Sequence, residues 1–434
     1  MKKAFLLAIA VPAMFLFASG ASAQSLQSSY FLDNYTYSYQ LNPAALVEDS
    51  HGFFGVGIGN VHVGANSNLG LSSFLFPMTI DGEKKLVTGL HPDLDADVFL
   101  GGLDEENVID LNIGLNLLSF GRVKNDSFFN FELNLKSEFS TDIPKDAFEL
   151  LKLGATQNDN YVLKDISFNT TNYLEAVLGY SNKLNANWRL GGRLHLIAGI
   201  ADASLTVPEA DVNVKGNFAI DGAGSVNVYA GKVQFPSTPD GYVDWDNIDI
   251  EAQDLGLAGY GAALDFGTEY HSSDFTFSAS VLDLGGIFWR GGTVAECSYS
   301  GEVDSDALDS ATLFKIVDNA DDKFIGLGPR INVGARMNIL PILSAGLMGT
   351  VRTGRYGWSE ARAGLTLTPG KFLSLAATGG VNTYGPCFGA ALNLKLAFLN
   401  LYLGTDSVVT SFTPQLIPVN KLHTRVSGGL VIAL

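Results

Sequence analysis

Hydrophobic and polar positions take turns along most of this chain. Ile109, Leu111, Ile113, Leu115 and Leu117 alternate with Asp110, Asn112, Gly114 and Asn116. Phe129, Phe131, Leu133 and Leu135 alternate with Asn130, Glu132, Asn134 and Lys136. Successive side chains of a β-strand point to opposite faces, so each run has one greasy face and one hydrated face. A soluble antiparallel sheet can look the same. Repetition is what distinguishes this chain. The pattern returns at Trp188–Leu196, Ala262–Phe266, Phe275–Val281, Ile331–Ile339 and Phe388–Leu396, and the last strand puts Leu430, Ile432 and Leu434 on one face. Runs of about ten residues suit tilted strands that cross a membrane.

The connections between runs alternate in length. Short ones fall near Arg122–Asp126, Lys183–Asn187, His271–Asp274, Leu340–Ile342, Thr368–Lys371 and Ala397. Longer or more polar ones cover residues 77–107, 140–171, 201–256, 285–329, 354–358, 382–386 and 405–421. Outer-membrane barrels have short periplasmic turns and long external loops. With the C-terminus on the periplasmic side every connection falls in phase. Counting back from the last strand predicts an all-β, antiparallel transmembrane barrel of about 14 strands over residues 52–434, the first strand rising within residues 52–76. Inside the loops, Pro144–Leu153 and residues 304–320 have helical spacing. Val212/Val214 and Val226/Val228 suggest a hairpin above the membrane.

Residues 1–23 read differently. Lys2 and Lys3 precede an apolar run to Ala18, and Ala21-Ser22-Ala23 closes it, which is the order of a secretory signal peptide cut after Ala23. Position 24 is Gln, so no lipid-bearing Cys follows the cut. An exported barrel belongs in the outer membrane of a Gram-negative cell. Composition agrees. The chain is 47% hydrophobic and 17% charged, with 48 Gly, 28 Phe and 15 Tyr, which suits many short strands and aromatic girdles. The net charge of −18, more negative still once the leader's two lysines are gone, argues against nucleic acid as a partner. Cys297 and Cys387 are permitted a disulfide by export, but their spacing does not show one.

Residues 24–51 precede the barrel and are predicted to form a hatch, or plug. The segment is irregular, aromatic (Tyr30, Phe31, Tyr35, Tyr37, Tyr39) and carries Asn42-Pro43-Ala44, whose proline lacks the N–H a strand ladder needs. A 14-stranded barrel has an interior too wide for wall side chains alone. By strand phase Glu132, Lys136, Arg189, Arg193, Asp265, Arg330, Arg336, Arg352 and Arg362 face the lumen, since Arg or Lys facing lipid at mid-depth costs about 2–4 kcal/mol.

Signatures of catalysis are missing from the sequence: there is no His-Glu-x-x-His, Gly-x-Ser-x-Gly or Walker loop. Gly55, Gly57 and Gly59 lie in a strand with no helix after them, so they do not form a phosphate loop. Asp93, Asp95 and Asp97 fail the calcium-loop template because Val98 stands where glycine is needed. Asp304, Asp306, Asp309, Asp321 and Asp322 suit a solvated outer loop, with weak divalent-ion bridging to lipopolysaccharide as the sharper reading. His271-Ser272 falls in a tight turn, where polar residues are common anyway. No catalytic residue, metal or cofactor is predicted.

Two stretches carry a family resemblance. Asn42-Pro43-Ala44, just before the first strand, resembles the hatch motif of FadL-like transporters of hydrophobic compounds and their PorV-like relatives. Val281-Leu282-Asp283-Leu284-Gly285, ending at Trp289 and following a segment like Gly261–Tyr270, resembles a strand-end motif of an uncharacterised outer-membrane family of that superfamily. The resemblance implies 14 strands around a hatch, with a hydrophobic ligand leaving sideways through the wall. It also implies an alternative, a non-transporting barrel that partners a secretion or surface-assembly complex. The implied partners are outer-membrane lipid or lipopolysaccharide, and then either a hydrophobic small molecule or a secretion-complex protein. A lipid-modifying enzyme with a wall-facing Ser–His–Asn cluster is a third reading.

Overall fold

A computed structural model describes residues 26–45, 52–57, 59–80, 82–154, 160–214, 219–231, 235–244, 247, 256–302, 314–354, 357–408 and 422–434. The leader, Leu46 of the hatch and the acidic run at Asp304, Asp306 and Asp309 lie outside these residues. Fourteen antiparallel strands close on themselves. The first, β1, comes in two pieces, Gly52–Val56 and Val61–Ser67, and both pair with β2 (Glu106–Lys124) and with the last strand, β14 (Leu422–Ala433). Between them, each paired to the next, run β3 (Ser127–Pro144), β4 (Asn160–Lys183), β5 (Trp188–Asn213), β6 (Gly259–His271), β7 (Phe275–Trp289), β8 (Arg330–Leu340), β9 (Leu343–Arg352), β10 (Trp358–Leu367), β11 (Leu373–Asn382), β12 (Gly385–Leu396) and β13 (Leu399–Val408). Closure removes every free strand edge, which is what lets a sheet cross lipid with its backbone satisfied.

The alternation sorts as its phase requires. Phe129, Leu178, Leu194, Phe266, Phe277, Val333, Leu347, Leu365, Phe388 and Leu403 are exposed on the outer face. Asn112, Asn134, Asp265, Ser280, Asn332, Arg362 and Asn393 are buried on the inner one. The short connections match the tight turns read from the sequence. Bulges slip the phase in several strands, and two of them bear on the site. On β2 the inward positions change from even to odd between Asn116 and Leu118, opposite the gap in β1. On β7 the slip falls in the Val281–Gly285 motif: Asp283 takes a left-handed conformation (φ 60°), and its N–H donates to Asp265 Oδ1 at 2.7 Å. An extra residue in one strand rotates everything beyond it by one face.

The long loops are more ordered than the sequence suggests. Residues 140–171 are expected as a loop, yet β3 continues to Pro144 and β4 starts at Asn160, with only a helix, α1 (Lys145–Leu153), and a few residues between. β5 runs far into the expected 201–256 loop and pairs there with an outer strand, Ala219–Tyr229, which widens the expected hairpin. A further strand, Gly292–Glu302, pairs with it and with Lys315–Ala320. Residues 304–320 are therefore not one helix: Lys315–Ala320 is a strand, and the rest lies outside the described residues. The hydrophobic pattern hides these extensions because above the membrane neither face of a strand meets lipid. Pro208 sits in the register shift between Thr206 and Glu209, where no ladder N–H is missed. Residues 77–107 hold most of a small hairpin, Leu75–Ile80 with Glu83–Thr88, and a one-turn helix, Ala96–Leu100.

Candidate functional site: the hatch and the charged lumen

Residues 26–45 fold inside the barrel at its short-turn end. Two 3-10 turns, Gln27–Phe31 and Ser38–Gln40, break the segment into a compact coil instead of a strand. Its rings form the largest apolar cluster of the lumen. Phe31, Tyr35, Tyr37 and Tyr39 are all but fully buried, packed with Phe53, Phe128 and Tyr402 of the wall. Tyr37 lies 5.7 Å from Phe53 and 5.9 Å from Tyr402, edge-on or tilted, the geometries that aromatic quadrupoles favour.

Polar contacts fix the coil to wall strands all round the barrel. The Gln27 N–H donates to Asp406 at 2.7 Å, and the Ser28 N–H and hydroxyl reach the same carboxylate. Arg362 Nη1, 2.8 Å from Asp406, neutralises it from β10. On β3 the Tyr39 hydroxyl and the Gln40 amide each donate to Glu132 at 2.7 Å. Arg193 pairs with Glu132, and its guanidinium lies 5.4 Å from the centre of the Tyr39 ring. Arg336 pairs with Asp33 and Arg189 Nε donates to the Ala44 carbonyl at 3.0 Å.

Asn42-Pro43-Ala44 rests on the wall at β5 and β6. The Asn42 side chain accepts from the Ala44 N–H and donates to the Thr268 carbonyl, both at 3.0 Å. Gly191 and Gly267 make room for it: a Cβ at Gly267 would stand 2.0 Å from Asn42 Oδ1, and one at Gly191 would stand 2.2 Å from the Pro43 carbonyl oxygen. Leu41, just before this motif, is buried, and its carbonyl accepts from Ser280 at 2.6 Å and from Asn332 at 3.0 Å.

Outward from the hatch lies a layer of charge. Lys136 pairs with Glu175 at 2.9 Å, and His195 sits between Glu175 (3.1 Å) and Asp265 (2.9 Å). Arg193 bridges Glu132 and Asp265, and Arg330 lies 3.5 Å from Asp283. A cavity of about 50 Å³ lies among these groups. His195, Asp265 and Asp283 come close enough to share a cation. Their acceptors already face Arg193 and Arg330, so a metal would have to displace an ion pair. Farther out, Arg352 of β9 reaches Glu138 of β3 at 3.4 Å, a bridge between non-neighbouring walls.

Of the nine charges expected to face the lumen, Glu132, Arg189, Arg193, Asp265, Arg330 and Arg362 are buried and Lys136, Arg336 and Arg352 are half-buried. Only in three dimensions do their partners appear. Glu175, His195, Asp283, Glu360, Asp406, His423 and Arg425 complete the networks and were not singled out from the sequence as lumen charges. Asp406 falls in the stretch read as an outer loop, and Arg425 precedes the apolar face by which the last strand was recognised. The other candidate groups lie elsewhere. Asp95 caps the short helix through the Asp97 N–H, and Asp322 holds Arg290 at 3.0 Å. His271 pairs with Glu269 beside its turn. Cys297 and Cys387 are both free thiols, and burial pushes the Cys297 thiol above its usual range.

Below the hatch a polar vestibule of about 990 Å³ opens at the short-turn end. At the far end Trp289, Ile287, Tyr173 and Tyr229 form an apolar cluster beneath the outer strands.

Fourteen antiparallel strands closed around a charged lumen, with an apolar outer face and an N-terminal coil inside, make a transmembrane β-barrel fold. The protein belongs to the family described as "Family of unknown function (DUF5723)", whose profile matches residues 43–406. A sequence search among curated proteins finds no match. Among solved structures, the chain is similar to the toluene transporter TbuX of Ralstonia pickettii, at a TM-score of 0.51 and 7% identity over 96% of this chain and 98% of that one. The toluene transporter TodX of Pseudomonas putida gives 0.45 and 9%, over 96% and 95%. A Pseudomonas aeruginosa FadL homologue gives 0.43 and 10%, over 95% and 97%.

Proposed function

We propose that this protein is a hatch-closed passage for a hydrophobic small molecule across the outer membrane, with its exit through the wall at β1. The gap between the two pieces of β1 carries this reading. Pairing with β14 stops at Phe54 with Ile432 and resumes at Val61 with Gly428, leaving six residues of β1 opposite three of β14. Gly57 is left-handed (φ 71°). The hatch stands directly behind the gap: Gln40 accepts from the Asn60 amide at 2.7 Å, and the Tyr37 hydroxyl bonds Ser119 of β2 at 2.8 Å. A wall interruption backed by a removable element, in place of a neighbouring strand, suits sideways release into lipid.

At the outer end, Leu69, Leu94, Phe99, Leu100 and Leu103 cluster beside α1, and Leu86, Leu90, Val98 and Leu151 stay exposed around them. Such a surface suits collection of an apolar solute before entry. The transporters to which the fold is similar are named for toluene, so toluene is a suitable first probe. The test is uptake of labelled toluene at low concentration by cells carrying the protein, against cells whose copy lacks residues 57–59, so that β1 pairs continuously. Uptake that depends on the gap, at equal insertion, supports passage. Equal uptake by both strains refutes the wall exit.

A second reading, a barrel that partners a secretion or surface-assembly complex, draws on the outer sheet. β4 and β5 are 24 and 26 residues long, well beyond the roughly 9–11 needed to span lipid, and carry a sheet out from the membrane. Co-purification of a stoichiometric protein partner that is lost on trimming residues 205–230 would favour it.

A further inference from the structure

The outer half of the lumen holds hydrogen-bond donors that no group among the described residues uses. Arg425 of β14 is 2% exposed, and none of its three guanidinium nitrogens has a hydrogen-bond partner. Its charge meets the Trp358 ring, 4.1 Å from the guanidinium carbon, and Glu360, 3.7 Å from Nη1. Two residues away on the same face, His423 is fully buried with both ring nitrogens unpartnered, Nε2 standing 3.9 Å from Glu360. The Tyr384 ring stacks on the imidazole at 5.1 Å, and Trp358 meets it edge-on at 6.0 Å. Trp358 Nε1 and Arg362 Nη2 are likewise buried and unused.

All four side chains meet around Glu360, whose carboxylate is already held by Arg362 Nε at 2.7 Å. The inventory is lopsided. Arg and Trp nitrogens only donate, and the neutral imidazole donates from one side. The unpartnered acceptors among the described neighbours are the amide oxygens of Asn66 and Asn112, and Asn112 brings an unused amide nitrogen as well. Water both gives and takes hydrogen bonds, so it would leave such an excess of donors poorly served. A group that only accepts would serve it. Arginine's planar fork matches the paired oxygens of a carboxylate or phosphoryl group, and charge-assisted bonds of this kind are the strong ones.

We propose that Arg425, His423, Trp358 and Arg362 form a binding site for a compact oxyanion, a carboxylate or phosphoryl group, at the outer end of the lumen. Arg425 supplies the fork and charge, His423 and Trp358 supply single N–H donors, and Tyr384 holds the imidazole in place. The site shares Arg362 with the hatch, which that side chain reaches through Asp406 and Ser28, and its existence does not depend on passage through β1.

The test uses the full mature chain folded in detergent, with thermal unfolding followed at constant ionic strength against sodium chloride. Inorganic phosphate, hexanoate and hexyl phosphate are titrated separately. A saturable rise in melting temperature is expected with at least one oxyanion. Arg425→Gln should weaken the apparent affinity at least tenfold, and His423→Gln and Trp358→Phe severalfold, while Arg290→Gln, on the outer surface, should leave it unchanged. A response to free phosphate assigns a free ion, and a response to the alkyl anions alone assigns an amphipath's head group. Heat-modifiable gel migration confirms that each variant is folded; if Arg425→Gln is not, His423→Gln and Trp358→Phe decide. No saturable shift in the unsubstituted protein, or equal affinities in the folded variants and the parent, would overturn the proposal.

Discussion

The inner and outer halves of the lumen solve the same problem in opposite ways. In the inner half a foreign segment fills the barrel, and the arginines there, Arg189 and Arg336, spend their donors on its backbone and on Asp33. In the outer half no such segment enters among the described residues. Wall side chains meet one another across the gap, as in the Arg352–Glu138 bridge, and Arg330 and Arg425 keep donors unspent. The difference teaches where the barrel is built to stay shut and where it is built to receive. A coil of aromatic rings, with most of its polar groups paired to the wall, suits the proposed plug. A charged wall with spare donors is a surface made for something that arrives.

Breaking the inner half should produce the largest effects. Glu132 is fully buried and joins Tyr39, Gln40 and Arg193. Glu132→Ala takes one of the two buried carboxylates from Arg193 and the acceptor from Tyr39 and Gln40, so a stability loss of about 3–5 kcal/mol is expected in urea unfolding from detergent. A loss within the error of the measurement would mean that the hatch does not depend on this latch. Gly267→Val pushes a side chain into Asn42 and Pro43. Overpacking of this kind costs about 1–3 kcal/mol, and because it lifts one end of the hatch it should also speed proteolysis within residues 40–45. Protection equal to that of the parent would separate the motif from the wall. Asp33→Asn weakens a pair that is partly open to the vestibule. A change of about 1 kcal/mol or less is expected there, shrinking further in 0.5 M salt. A larger, salt-independent loss would place that end of the hatch in the dry core.

How much of this was legible in the sequence follows the same division. The wall was readable because lipid imposes one rule on every strand: the outward residues of β2, β3 and β6 are apolar at each second position. That residues 26–45 form no strand of the wall was readable because tyrosines and a proline in an irregular segment suit neither a strand nor a free tail. Both phase slips were hidden, since a bulge at Asn116 or Asp283 changes no residue type. The networks were hidden for a different reason. Arg362 with Asp406, and Arg352 with Glu138, join strands far apart in sequence, and only closure of the barrel sets their distances. Above the membrane the hairpin was read at Val212/Val214 and Val226/Val228, but its continuation into the wall strand and its pairing with Gly292–Glu302 were missed where lipid stops enforcing alternation.

The central claim is that residues 26–45 close a barrel that would otherwise conduct. Single-channel recording in planar bilayers tests it directly, comparing the mature protein with a form lacking residues 26–45, both shown by heat-modifiable migration to be folded barrels. The intact protein should be silent or open only briefly, and the deletion should give a steady ohmic conductance that scales with salt. A folded deletion that stays as closed as the parent would contradict the account and assign closure to the charged wall of the outer half.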